Sequence, residues 1–117
     1  MAVPGRRQER LADQIRTEVA SILTEELKDP RIGFATVTRV ELTADLGHAR
    51  VFVSVLGDEE ARRNTLAGLE SAAGFLRREI THRLRLRRAP EVVFVLDRGP
   101  EDAARIEGLL EKLKHEP

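Results

Sequence analysis

Apolar positions recur with a helical period over the first quarter of the chain. Leu11, Ile15, Val19, Ile22, Leu23 and Leu27 fall within one arc of ~160° at ~100° per residue, which predicts an amphipathic helix from about Arg6 to Lys28. Glu26 intrudes on that arc, so the last turn is expected to fray or to face a partner. Asp29-Pro30 ends the helix, because the residue before a proline is pushed out of the helical region. The period then shortens to two. Phe34–Leu42 is rich in β-branched residues, but its facing is mixed. Phe34, Val40 and Leu42 share one parity and Ala35 and Val37 the other, which a bulge or two-sided burial would reconcile. His48–Leu56 alternates cleanly, with Ala49, Val51, Val53 and Val55 on one face. Asp45-Leu46-Gly47 between the two runs predicts a hairpin turn with the glycine at positive φ.

Asp58 is placed to cap a second helix, with Glu59 and Glu60 set favourably against its positive end. Leu66, Leu69, Ala73, Leu76, Ile80 and Leu84 fall within ~80° of one another on a helical wheel. Periodicity alone therefore predicts one helix over about 59–85, with this stripe against a sheet and Arg78 and Arg85 exposed. Gly74 is its weak point, costing ~1 kcal/mol relative to alanine. Ala72, Ala73 and Gly74 form a small-residue notch open to close backbone approach. Arg87-Arg88-Ala89-Pro90 breaks the helix. Glu91–Asp97 is a third strand, apolar on both parities in the manner of a well-covered position. Gly99 and Pro100, with Glu101 and Asp102, start a last helix striped by Ile106, Leu109, Leu110 and Leu113. Three strands with helices on one face make a two-layer α+β domain. Residues 6–97 are the core fold and 98–117 a short C-terminal helix or tail, with frayed ends at 1–5 and 115–117.

The chain's 117 residues fit a single domain. The absence of cysteine excludes disulfides, thiolate metal sites and a thiol nucleophile. No window approaches the ~18 uncharged apolar residues of a membrane span. Arg6, Arg7, Glu9 and Arg10 interrupt the first apolar stretch, so a cytoplasmic protein without a signal peptide is expected. Ser21, Ser54 and Ser71 lack a Gly-x-Ser-x-Gly setting, and His48, His82 and His115 lack metal-ligand spacing. The pairs Glu25-Glu26 and Glu59-Glu60 sit on helix surfaces or caps, and no glycine-rich phosphate loop is present. A non-enzyme with no cofactor, metal or small-molecule substrate is expected.

Charge changes this picture. The chain is formally neutral, yet residues 75–90 hold six of its 17 arginines and one acid, Glu79, for a local charge of +5. Such polarisation creates a local field within a neutral protein. Arg78, His82 and Arg85 lie opposite the apolar stripe, with Arg77 beside them, and Arg87 and Arg88 carry the positive surface into the following loop. Arg6, Arg7 and Arg10 add charge at the start of the first helix. Arginine's planar fork suits phosphate and stacks on bases. The alternatives are a solvated basic helix or one that docks an acidic protein. Arg83 falls near the apolar stripe, where its stem can pack. The four phenylalanines, Phe34, Phe52, Phe75 and Phe94, all lie in apolar patterns, which disfavours recognition by aromatic stacking.

Several runs carry a family resemblance: Leu27-Lys28-Asp29-Pro30-Arg31-Ile32-Gly33, Val37-Thr38-Arg39-Val40, Ala49 through Gly57, Leu69 through Arg77, and Leu84-Arg85-Leu86-Arg87-Arg88-Ala89-Pro90-Glu91. Together they resemble the bacterial ribosome-binding factor A family, over about Arg6 to Leu113. The resemblance implies a type II KH-like fold, helix–strand–strand–helix–helix–strand. It implies an interhelical kink at Ala72, Ala73 and Gly74 in place of the Gly-x-x-Gly loop of KH domains, which this sequence lacks. It further implies a monomeric, non-enzymatic factor that binds the free, immature 30S subunit and its 16S rRNA rather than translating ribosomes. Late maturation, including 5′-end processing of that rRNA, and growth in the cold belong to the same implication. The resemblance implies an often extended, sometimes basic, C-terminal tail, whereas residues 97–117 here sum to −2. A general RNA-binding module and a protein–protein adaptor with a basic helix are the rival readings.

Overall fold

The computed structural model describes residues 5–99. The helix expected beyond Gly99, with its Ile106–Leu113 stripe, lies outside them. The element order is α1 (Arg6–Glu25), β1 (Ala35–Leu42), β2 (His48–Val55), α2 (Glu59–Ser71), α3 (Ala73–Arg83) and β3 (Glu91–Leu96). This is the KH-like order that the family resemblance implies. The sheet order is β1-β2-β3, with β1 antiparallel and β3 parallel to the central β2. The helices cover one face, and the core lies between the layers, where Ile15, Val19, Ile22, Val51, Val53, Leu69, Leu76 and Ile80 are completely buried.

The mixed facing of β1 resolves as a bulge. Val37 pairs with Val53 and Arg39 with Phe52, so Thr38 is the extra residue. The slip puts Val37, Val40 and Leu42 opposite Val53, Val51 and Ala49, all toward the helices. The Thr38 hydroxyl donates to the Asp97 carboxylate at 2.6 Å and pins the bulge to the end of β3.

Four expectations are corrected. The α1 helix stops at Glu25, and Glu26, the residue that broke the apolar stripe, becomes its C-cap and faces an arginine partner. In the hairpin turn the left-handed residue is Leu46 (φ 59°), not Gly47. Asp45 makes this possible by accepting the Gly47 N–H at 2.9 Å and the Thr43 hydroxyl at 2.7 Å. The third strand is an edge rather than a covered position. Phe94 is buried beneath the helices, but Val93 on the other parity is exposed. Phe34 is likewise exposed, beyond the end of β1 opposite the hairpin turn.

The long helix predicted by periodicity is two helices. Asp58 caps α2 through a 2.8 Å bond from the Ala61 N–H. At Ala72 the amide bonds both the Gly68 and Leu69 carbonyls, and its own carbonyl accepts from Leu76. The turn tightens there and interrupts the helix, while Leu69 and Leu76, on either side, both stay buried. The break falls at Ala72, within the Ala72–Gly74 segment where the family resemblance implies a kink. Close approach occurs elsewhere: a Cβ at the buried Gly68 would lie 2.7 Å from Ile32 Cγ1.

Candidate nucleic-acid interface

The α3 helix and the loop after it present the charged segment. Burial of Leu76 and Ile80 leaves Arg78 and His82 on the outer side of α3. They line an open groove with Gly74, Arg77, Thr81 and Arg85. Ala72 and Ala73 are half-buried against the core, so of the notch residues Gly74 alone borders this groove.

The end of α3 fixes the direction of Arg85. The Arg85 N–H reaches the His82 carbonyl at 3.3 Å and the Leu86 N–H the Thr81 carbonyl at 2.9 Å. These two bonds define a Schellman ending, whose left-handed position is usually glycine. Here Arg85 occupies it, at φ 51°.

The loop then carries Arg87 and Arg88 to the hairpin-turn end of the sheet, where the Glu91 N–H bonds the Gly47 carbonyl at 2.8 Å. A cleft of about 440 Å³ opens there, lined by Arg7, Arg10, Arg85, Arg87 and Arg88 together with Leu11, Gln14, Asp45, Leu46, Leu86 and Pro90. Residues 75 or more positions apart in sequence thus meet around one opening. Arg7 and Arg10 stand on the α1 side of this cleft, so the positive surface runs from α3 across it to the start of α1. Among the described residues, none of Arg7, Arg10, Arg78, Arg85, Arg87 and Arg88 forms an ion pair, nor do Arg6, Arg16 and Arg63 outside the cleft, whereas Arg31, Arg39, Arg50 and Arg98 each meet a carboxylate.

Three arginines fall outside this set. Arg77 donates to the Ala89 carbonyl at 3.1 and 3.3 Å, so its guanidinium holds the loop bearing Arg87 and Arg88. Arg6 lies in the α1 groove among Glu9, Asp13 and Glu18, which oppose an anion there. Arg83 meets Glu26, Glu79 and Glu18 at 2.6, 3.0 and 3.4 Å, joining α3 to α1. The bonds to Glu26 raise its pKa most, with further contributions from Glu79 and Glu18. This engages Glu79, the one acid of the basic segment. Among the described residues, no cluster of histidines and carboxylates is arranged to hold a metal, and no helix is long and apolar enough to cross a membrane.

The fold is KH-like, with an arginine-rich surface on α3 and the loop that follows it. The model of the family described as ribosome-binding factor A matches residues 7–110. A ribosome-binding factor A of Desulfitobacterium hafniense is 52% identical over 110 residues, 94% of this chain and 88% of its own. A solution NMR structure of a Thermotoga maritima protein described as a putative ribosome binding factor A superposes with a TM-score of 0.71 at 39% identity, covering 85% of this chain and 94% of that one. The Thermus thermophilus coordinates fitted into a cryo-EM map of a complex with the 30S subunit give a TM-score of 0.64 at 30% identity, covering 77% and 94%. The chain belongs to the ribosome-binding factor A family.

Proposed function

We propose that this protein binds the small ribosomal subunit on its 16S rRNA and acts as a non-enzymatic assembly factor. The observation that carries the reading is the convergence of unpaired arginines from α1, α3 and the α3–β3 loop on one surface. The Thermus thermophilus relative fitted into a map of a 30S complex supplies the subunit. Arg78, His82, Arg85, Arg87, Arg88, Arg7 and Arg10 face the rRNA. Arg77 acts by positioning the loop, Gly74 leaves the groove beside Arg78 open, and Arg6 is peripheral.

The partner is the free, immature subunit rather than a translating ribosome, and the protein acts as a monomer in the cytoplasm. Binding changes the course of assembly only if it favours one rRNA conformation over another. An arginine surface preorganised by the Schellman ending and the Arg77–Ala89 bonds favours the conformer whose phosphates match it. Holding that conformer assists late maturation, including 5′-end processing of 16S rRNA. It matters most in the cold, where misfolded rRNA escapes slowly.

The test is to fractionate a lysate on a sucrose gradient and follow the protein. It should migrate with small-subunit precursors at low salt and leave them at high salt or after ribonuclease. Migration with translating ribosomes would contradict the subunit assignment. Retention after ribonuclease would identify a protein partner instead, and equal binding to unrelated structured RNA would identify a general RNA-binding module.

A further inference from the structure

The cleft at the hairpin-turn end has a feature that phosphate binding does not require. Its rim is arginine, but the part-exposed Leu11, Leu46 and Leu86 give it an apolar lining. Phosphate oxygens gain nothing from such a surface. The face of a nucleobase does, and an arginine guanidinium stacks on that same face. We propose that the cleft takes the base of one unpaired RNA nucleotide, with its phosphate and the flanking phosphates held by Arg10, Arg85, Arg87 and Arg88. This inference rests on the rRNA-binding reading and adds that one base must be turned out of its stack.

The backbone supports the assignment independently. Among the described residues, Leu46 and Arg85 are the two non-glycine residues with positive φ, at 59° and 51°. Both line this cleft. Left-handed backbone disfavours a residue with a Cβ, and glycine or asparagine would relieve it. Strained residues gather where their side chains are used. The Arg85 conformation directs a charge to the rim, and the Leu46 conformation directs an apolar side chain to the lining. The volume, about 440 Å³, lies within the ~300–1,000 Å³ range of small-ligand pockets. Asp45 is the one acid of the lining. Its carboxylate is turned into the hairpin, on the Thr43 hydroxyl and the Gly47 N–H, and these partners hold its pKa below the usual range. A base within a duplex presents only its edge, so the cleft selects single-stranded or bulged RNA.

Two measurements test this on the full chain. In an NMR titration, adenosine 5′-monophosphate should shift the methyl signals of Leu46 and Leu86 together with the arginine side-chain signals. Ribose 5-phosphate, which lacks the base, should shift the arginines alone. In the second measurement, Leu46→Asn keeps a residue that tolerates left-handed backbone but makes the lining polar. It should weaken small-subunit binding about tenfold, or about 1.4 kcal/mol, with the salt dependence unchanged. Leu46→Gly, which also relieves the backbone, provides the same test if the asparagine variant folds poorly. Arg87→Gln should instead flatten the salt dependence. Wild-type affinity in a folded Leu46 variant, or identical shifts from the two titrants, would overturn the base pocket. The rRNA reading would then still stand on Arg87→Gln. Failure of Arg87→Gln to alter the salt dependence would remove both.

Discussion

Arg85→Gly moves stability and binding in opposite directions. Left-handed backbone costs a non-glycine residue ~1–2 kcal/mol, and Arg85 holds φ 51° as the left-handed residue of the α3 Schellman ending. Glycine removes that cost but loses ~0.5–1 kcal/mol of extra chain freedom on folding. The net is a gain of about 0.5–1 kcal/mol, because the exposed Arg85 side chain forms no ion pair among the described residues. For a domain of this size that raises the melting temperature by about 2–6 °C. Binding should respond the other way, since one lost phosphate contact lowers the log–log salt slope by ~0.7–0.9. Thermal melting, together with subunit affinity at several salt concentrations, measures both. A lower melting temperature would show that the arginine side chain supports the fold. An unchanged slope would place Arg85 outside the interface.

Gly74→Ala should also stabilise the protein, by up to ~1 kcal/mol. Its Cβ would meet only Arg78 Nη1, at an ordinary 3.8 Å. Because the methyl fills the groove beside Arg78, subunit affinity should fall even as the melting temperature rises; a drop in melting temperature would mean the kink requires glycine. Gly68→Ala should do the reverse: its Cβ would lie 2.7 Å from Cγ1 of Ile32, which packs against the core, and such overpacking costs ~1–3 kcal/mol, so a neutral result in urea unfolding would refute the close approach. Acid should weaken the fold. The Arg31 guanidinium lowers the Asp29 pKa to about 2, and hydrogen-bond partners lower those of Asp45, Glu59 and Asp97. A carboxylate with a depressed folded pKa stabilises fully above its unfolded value and loses that contribution as pH falls. The melting temperature should therefore hold from about pH 7 to about pH 5 and decline from about pH 4 toward pH 2, modestly because these groups are exposed. A rise across that lower window would contradict the assignment.

The sequence patterns located α1 and the three strands and read α2 and α3 as one helix, because the periodic burial of apolar residues marks each run. The second strand was legible from alternation and the Asp58 cap from its position, while the parity conflict on β1 left a bulge or two-sided burial open, which the register resolves as a bulge at Thr38. The α2–α3 kink was not legible from periodicity, because the turn at Ala72 keeps Leu69 and Leu76 in phase; only the family resemblance implied it. Leu46 rather than Gly47 takes the left-handed position because Asp45 bonds the glycine amide, a choice that residue preference alone does not reveal. The basic segment stood out by charge count, but the roles of its members depend on distant partners. Ala89 engages Arg77, three glutamates from α1 and α3 engage Arg83, and α1 brings Arg7 and Arg10 beside Arg85, Arg87 and Arg88. Of these, the i, i+4 spacing of Glu79 and Arg83 was the one local signal available.

The central claim is that unpaired arginines of the cleft and the α3 groove bind rRNA phosphate. The most direct measurement is the salt dependence of small-subunit affinity for the wild type and for a variant with Arg10, Arg78, Arg85, Arg87 and Arg88 changed to glutamine. Arg77 and Arg83 stay, because both hold the fold together. Five lost phosphate contacts should lower the log–log slope by about 4, with affinity reduced most at low salt and the melting temperature nearly unchanged. A folded variant with the wild-type slope and affinity would show that this surface is merely solvated and that the subunit is bound elsewhere.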